Sequence, residues 1–450
     1  MLMNKTAATF ESFPVGPAWS GHRVNFDFIR RDGRQFVAYY DADRRITLAA
    51  RRDGEARWHL ARPEGAPRDS QGRKPYEPDQ PHRTNLLPWD SHNSLNLGID
   101  RDGHLHLSGN LHNDPLVYYR SREPWDIESM ERLDRMIGRD EERCTYPRFL
   151  EGPSGELLFR YRDGQSGAGR DLYNRYDPDT GEWSRLLEKP LLDGGGEANA
   201  YASEPLRGPD GRFHLIWVWR DTGDCATNHD LSYMRSADMV HWENVRGEAL
   251  SLPVGLEAPA VVDPVPPGGG LLNGRQWLGF DRAHRPVIAY TKYDDQGYTQ
   301  AWTARFDDGR WAVRRATDWH WRWEFSGGGS MPNIDDIHLD PPAPDPERPD
   351  QLRLGYRHKT EGEGVVHLRE SDLTPVGQST RPPDLPPEIA RPESDNPAMR
   401  VYWKEVRGDP PADGSRLVLR WESLPPRRDG PPPADEIPPP ASLRVYAIHS

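Results

Sequence analysis

Short runs in which apolar and polar residues alternate recur along the whole chain, each entered through a tight turn. They read RRDGRQFVAYY from Arg30, RDGHLHLSGN from Arg101, GPSGELLFRY from Gly152, GPDGRFHLIWVW from Gly208, RAHRPVIAYTK from Arg282, RPDQLRLGYRH from Arg348 and ADGSRLVLRW from Ala412. A period of two bounded by Asp-Gly-type turns predicts antiparallel hairpins. Each run follows another short strand, such as VNFDFI, SLNLGI or YPRFL, and most precede a third strand with a Trp-bearing turn, as in YNRYDPDTGEW, YMRSADMVHW and ARFDDGRW. Seven such units, spaced by roughly 50 to 75 residues, predict an all-β fold, a seven-bladed β-propeller occupying residues 1–450 as a single domain. An irregular β-sandwich or two separate β domains are the alternatives, and the lack of any long helical period favours the propeller. Proline-rich stretches at 341–349, 382–392 and 425–440 fall between strand runs and read as long loops. The last run, SLRVYAIHS, is expected to close the ring against the N-terminal segment around His22 to Ile29.

The hairpin pattern also places chemistry. In HNSLNLGIDRDGHLHLSGNLH the turn centres on Asp102, so His92 faces His112 across the open end. In TYPRFLEGPSGELLFRYR the turn spans Gly152 to Gly155 and sets Tyr146 opposite Tyr161 or Arg162. Directly opposed side chains sit roughly 5 Å apart at Cβ, so an imidazole pair and a phenol–guanidinium pair should share one rim of adjacent blades. The next hairpin repeats the geometry, bringing Arg220 near Ala200 and Tyr201. Arg162 is the candidate for neutralising a substrate carboxylate, with Arg220 as a second clamp. His92 is the preferred base and Tyr146 the preferred acid, with the reverse left open. Asn93, Tyr161 and Asn228 are candidate substrate contacts.

Composition narrows the partner. The net charge of -13 argues against general binding to nucleic acid or anionic lipid, yet arginines offer local sites for carboxylate or sulfate. Sixteen Trp and seventeen Tyr argue against disorder, and 45 Pro with 41 Gly suits many short strands joined by turns. The opening residues MLMNKTAATFESFPVG lack an apolar signal region and no run is long enough to span a membrane. A cytoplasmic location is the expectation, or secretion if the true start lies upstream.

Cys225 and His229, in C-x3-H spacing, have the ligand types of a structural zinc site, with Cys144 and His214 the nearest further candidates; His214 is expected on the opposite rim. One disulfide between Cys144 and Cys225 has no support in the pattern. IDDIHLD gathers Asp335, Asp336, His338 and Asp340, a cluster whose commoner fate is a solvated rim. No G-x-S-x-G, Walker loop, G-x-G-x-x-G or H-E-x-x-H occurs.

The segments HNSLNLGIDRDGHLHLSGNLHNDPLVYYRS, TYPRF, YRDGQSGAG with YNRYDPDTGEW, and TNHDLSYMRSADMVHW resemble the BNR-repeat-containing propeller proteins that include ulvan lyases. The resemblance is strongest over residues 85–250. It implies a catalytic His at His92, a second site His at His112, a site Tyr at Tyr146 and a carboxylate-neutralising Arg at Arg162. Related propellers act on rhamnose linked to glucuronic acid by elimination or hydrolysis, and some carry a structural zinc.

These readings converge on a lyase that cleaves an acidic oligosaccharide or polysaccharide at a uronic acid by β-elimination, chemistry that requires no cofactor. A rhamnosidase-like glycoside hydrolase and a non-catalytic carbohydrate-binding propeller are the alternatives.

Overall fold

The computed structural model describes residues 9–68 and 82–449. The all-β expectation holds: among these residues the strands assemble into seven sheets, and the one α-helix is the single turn Pro387–Ala390. No helix of the described residues is long and apolar enough to cross a membrane.

The described residues divide into two compact units, the first drawn from positions 9–68, 82–163, 174–185 and 383–449, the second from positions 164–173 and 186–382. In the first unit, Asp27–Arg31, Arg34–Tyr40, Ile46–Arg52 and His59–Ala61 form a meander, and Arg407–Gly408 adds in parallel to its first strand. Leu95–Ile99, Leu105–Gly109, Tyr118–Ser121 and Met130–Leu133 form the next sheet. Another contains Cys144–Glu151 and Leu157–Asp163, with the short strand His112–Asp114 on the outer side of Cys144–Glu151. The final strand, Ala441–His449, pairs antiparallel with Thr9–Ala18 rather than with the His22 to Ile29 segment. Of that segment, Asp27 to Ile29 belong instead to the meander, whose first strand pairs with Arg34–Tyr40.

In the second unit the hairpins Phe213–Arg220/Asn228–Ser236, Pro286–Tyr293/Thr299–Asp307 and Gln351–His358/Gly362–Arg369 each centre a sheet. The strand Pro286–Tyr293 shows why its PVIAY run is apolar without alternation. Ile288 and Tyr290 pack into one core with Val218, Leu231 and Tyr233, while Val287 and Ala289 face another with Ile337, Leu354 and Val366. A strand buried on both faces reads as a continuous apolar run.

The turn ends of the hairpins carry a recurring polar brace. At Asp100–Gly103, Asp100 Oδ1 accepts the backbone N–H groups of Asp102 and His104, and Gly103 adopts φ +89° with Trp125 pressed against it. Any Cβ there would meet the indole at 2.3 Å, so the turn requires glycine. Fully buried His106 lies 2.7 Å from the Tyr118 hydroxyl and 3.3 Å from Asp100. In the second unit His214 repeats this with Tyr233 at 2.7 Å and Asp210 at 2.9 Å. Burial lowers the basicity of both imidazoles, which therefore remain neutral struts between turn and third strand.

Candidate active site

At the open end of the first site hairpin the strands Leu95–Ile99 and Leu105–Gly109 pair Leu95 with Gly109 and Ile99 with Leu105. Continuing that register carries His92 and His112 face to face, and their rings stack with centroids 4.0 Å apart and planes inclined by 25°. Between them sits Asp90, which the sequence reading missed. Its Oδ1 accepts the His92 backbone N–H at 2.9 Å and lies 2.8 Å from His92 Nδ1, while Oδ2 lies 2.5 Å from His112 Nδ1. A second unanticipated carboxylate, Asp429, approaches His92 Nδ1 at 3.3 Å.

The second hairpin supplies the phenol and the cation. Thr145 pairs with Arg162 and Arg148 with Arg160, and the register slips between them, leaving Tyr146 in a bulge with φ +56°. A left-handed aromatic residue is rare, and a bulge re-aims its side chain out of the strand's alternation. The Tyr146 ring lies 6.3 Å from the His92 ring and 5.1 Å beneath the Arg162 guanidinium. Arg162 is buried and donates to Thr145 Oγ1 at 3.1 Å; the same hydroxyl accepts the Asn113 N–H at 2.7 Å. Arg68 reaches the same short strand, contacting Asp114 at 3.1 Å.

The surroundings separate the two histidines. Burial opposes charge on His92, but the oxygen of Tyr146 and the Asp429 and Asp90 carboxylates outweigh it and raise its pKa well above the usual 6.5. Burial lowers the pKa of His112 and the neighbouring His92 charge lowers it further, against the pull of Asp90, with Arg162 adding to the depression. Asp90 itself, despite burial that favours its neutral form, is held well below the carboxylate range by His112 and His92. Pairs whose environments drive their pKa values apart mark acid and base roles.

Asp90, His92 and His112 have donor atoms within 4.8 Å of one another. Each imidazole turns Nδ1 onto a different oxygen of one carboxylate. That is the geometry of an imidazole–carboxylate proton relay.

Other anticipated residues take different places. Asn93 is buried and donates to the Asp90 backbone carbonyl at 2.9 Å, so its amide nitrogen fastens the loop that presents His92. Tyr161 faces the core, donating to Asp140 O at 2.9 Å and receiving Arg185 at 3.0 Å, because the residue beside Arg162 on a strand points to the opposite face. In the second unit Arg220 pairs with Asn199, lies 5.4 Å over the Tyr201 ring and donates to the carbonyls of Thr222 and Gly223. Asn228 is buried and donates to Cys225 O at 2.6 Å and to Asn273 at 3.1 Å, which makes it a loop fastener. His229 sits between Asp221 and Asp230, each at 2.9 Å, while the Cys225 thiol lies 3.4 Å from the Met331 sulfur. Among the described residues no third metal-ligating group joins Cys225 and His229, so the donor set does not fit a zinc site. Both cysteines are free and buried. The IDDIHLD carboxylates are salt-bridged, Asp335 to Arg275, Asp336 to Lys359 and Asp340 to Arg381.

Residues 34–319 match the profile of a BNR repeat-containing family member. No curated protein matches the chain by sequence. Among solved structures, one described as a new family of polysaccharide lyase, PL25 ulvan lyase, is 14% identical with a TM-score of 0.61, covering 98% of this chain and 96% of its own. A structure of that description bound to -[GlcA(1-4)Rha3S]- is 13% identical with a TM-score of 0.60 and the same coverage. Polysaccharide lyase Uly1 is 14% identical with a TM-score of 0.59, over 100% of this chain and 93% of that one. At these identities the likeness is one of fold.

Proposed function

This chain belongs to the BNR repeat-containing family, and from that premise we propose that it is a polysaccharide or oligosaccharide lyase cleaving at a uronic acid by β-elimination. The observation that carries the reading is the split imidazole pair on Asp90 beside a phenol that lies under a buried guanidinium.

The proton next to a uronate carboxylate is too weakly acidic to remove while the carboxylate keeps its full charge, so a fixed cation must come first. Arg162 fills that role, its planar fork matched to a carboxylate. The Asp90 and Asp429 carboxylates beside His92 favour its protonated form, which moves the base from His92 to His112. With its Nδ1–H turned to Asp90, neutral His112 keeps the Nε2 lone pair to take the C5 proton. The freed electron pair forms the C4–C5 double bond, the bond from C4 to the linking oxygen breaks, and that oxygen takes a proton from Tyr146. His92, as imidazolium, resupplies the phenol.

The substrate class is an acidic glycan in which glucuronate alternates with rhamnose. The bound ligand of one fold relative and the buried Arg162 both support an anionic sugar at this site. The test is to incubate the purified protein with a panel of uronate polysaccharides and oligosaccharides and follow the ultraviolet absorbance of the unsaturated uronate. A rise supports the lyase. A flat trace with released rhamnose replaces it with a hydrolase, and a flat trace without product replaces it with a binding protein.

A further inference from the structure

Asp429 comes from the proline-rich loop that precedes the last strand, far from His92 in sequence, yet its side chain is 0% exposed. The loop is built to deliver it. Arg428 and Asp429 hold consecutive left-handed conformations, φ +47° and +58°, and Gly430 N–H closes the turn onto Arg427 O at 3.0 Å. Two successive non-glycine residues in this region persist only when their surroundings demand it. The loop's ends are fastened to Ser20, whose hydroxyl donates to Pro439 O at 2.8 Å and whose carbonyl accepts Leu424 N–H at 2.9 Å.

We propose that Asp429 is a positioning residue for His92: with Asp90 it encloses the Nδ1 side of that imidazole between two carboxylates, making His92 rather than His112 the charged member of the stacked pair. Two buried carboxylates converging on one nitrogen repel each other unless a cation lies between them, and the imidazolium is that cation. The other groups around the cluster agree. Tyr146 faces His92 from the bulge, and Arg162 acts on the His112 side. Behind the carboxylates, His22 accepts the Trp19 indole N–H at 3.0 Å and is lowered to about 4 by burial, while Arg44 lies over the rings of Trp19 and Trp89. His22 therefore stays neutral. The assignment of His112 as base in the lyase reading rests on this division; the division itself stands without turnover.

The experiment is a titration of the ring nitrogens in histidine-labelled full-length protein by NMR, wild type against Asp429→Asn and Asp429→Glu. In the wild type the His92 midpoint lies above that of His112. Asp429→Asn lowers the His92 midpoint by about one pH unit, the scale expected for removing a nearby opposite charge, and Asp429→Glu restores most of it. Where a uronate substrate is turned over, the alkaline limb of kcat moves down with the midpoint. An unchanged His92 midpoint in Asp429→Asn, or a wild-type order with His112 above His92, overturns the proposal. A variant that lowers activity evenly across pH and depresses the melting temperature while the His92 midpoint stays in place gives Asp429 a structural role only, and that outcome also overturns it. Absence of turnover on every uronate, with the midpoints as expected, removes the lyase reading and leaves this one standing.

Discussion

The hairpin from His92 to His112 carries a histidine cluster at each end, and the two ends differ in character. At the closed end His106 has one carboxylate, one phenol and no exposure, and burial keeps it neutral. At the open end His92 is 20% exposed, faces the Tyr146 ring and is met by two carboxylates, which hold it charged. The same residue types serve as a strut in one place and as proton-handling groups in the other. The deciding differences are the number of carboxylates and access to solvent.

If that contrast is right, damage at the open end should cost activity and leave the fold intact, while damage at the closed end should do the opposite. The largest effect belongs to Arg162→Ala, for which kcat on a uronate substrate should fall by about 10³-fold or more with the thermal midpoint little changed, since it removes charge stabilisation of the developing enolate. Steady-state kinetics and thermal denaturation check the two halves. Next comes Asp90→Asn, which should lower kcat by about 10²-fold by withdrawing the hub of both imidazoles.

The wild-type pH profile of kcat should be a bell that straddles 6.5. Its acid limb reports His112, lowered, which must lose its proton to act as base; its alkaline limb reports His92, raised, which must keep its proton. A single rise through a value above 6.5 would make His92 the base and dissolve the distinction drawn here.

At the closed end, His106→Ala should cost about 2 to 4 kcal/mol of stability in denaturant titrations, by opening a cavity and removing one buried hydrogen bond each from Asp100 and the Tyr118 hydroxyl, with the pH profile of kcat unmoved. The smallest effect is expected at Asn93→Ala, about 1 kcal/mol from one lost buried hydrogen bond. Its KM should stay unchanged because the side chain is turned to Asp90, and a large rise in KM would return it to the substrate-contacting set.

How much of this was legible in the chain depends on how local the determinants are. The stacking of His92 on His112 follows from alternation and an Asp-Gly turn, both contained in one hairpin. The Tyr146 bulge broke the register, yet the pairing still placed the phenol near Arg162 because the slip is one residue wide. Tyr161 was misassigned for the complementary reason: with Arg162 on the site face, its neighbour must point to the other side. Asn93 follows a site histidine but folds back on the loop that presents it. Asp90 and Asp429 carried no periodic signal. One sits in an irregular approach to a strand and the other in a loop whose ends are tied to Ser20, a contact set by tertiary structure alone.

The central claim is that the open end performs elimination on a uronate, and the most direct measurement is mass spectrometry of the products formed in heavy-oxygen water. The account predicts cleavage with no solvent oxygen in either fragment and one unsaturated uronate per cut. One heavy oxygen per cut with no unsaturated uronate would contradict it.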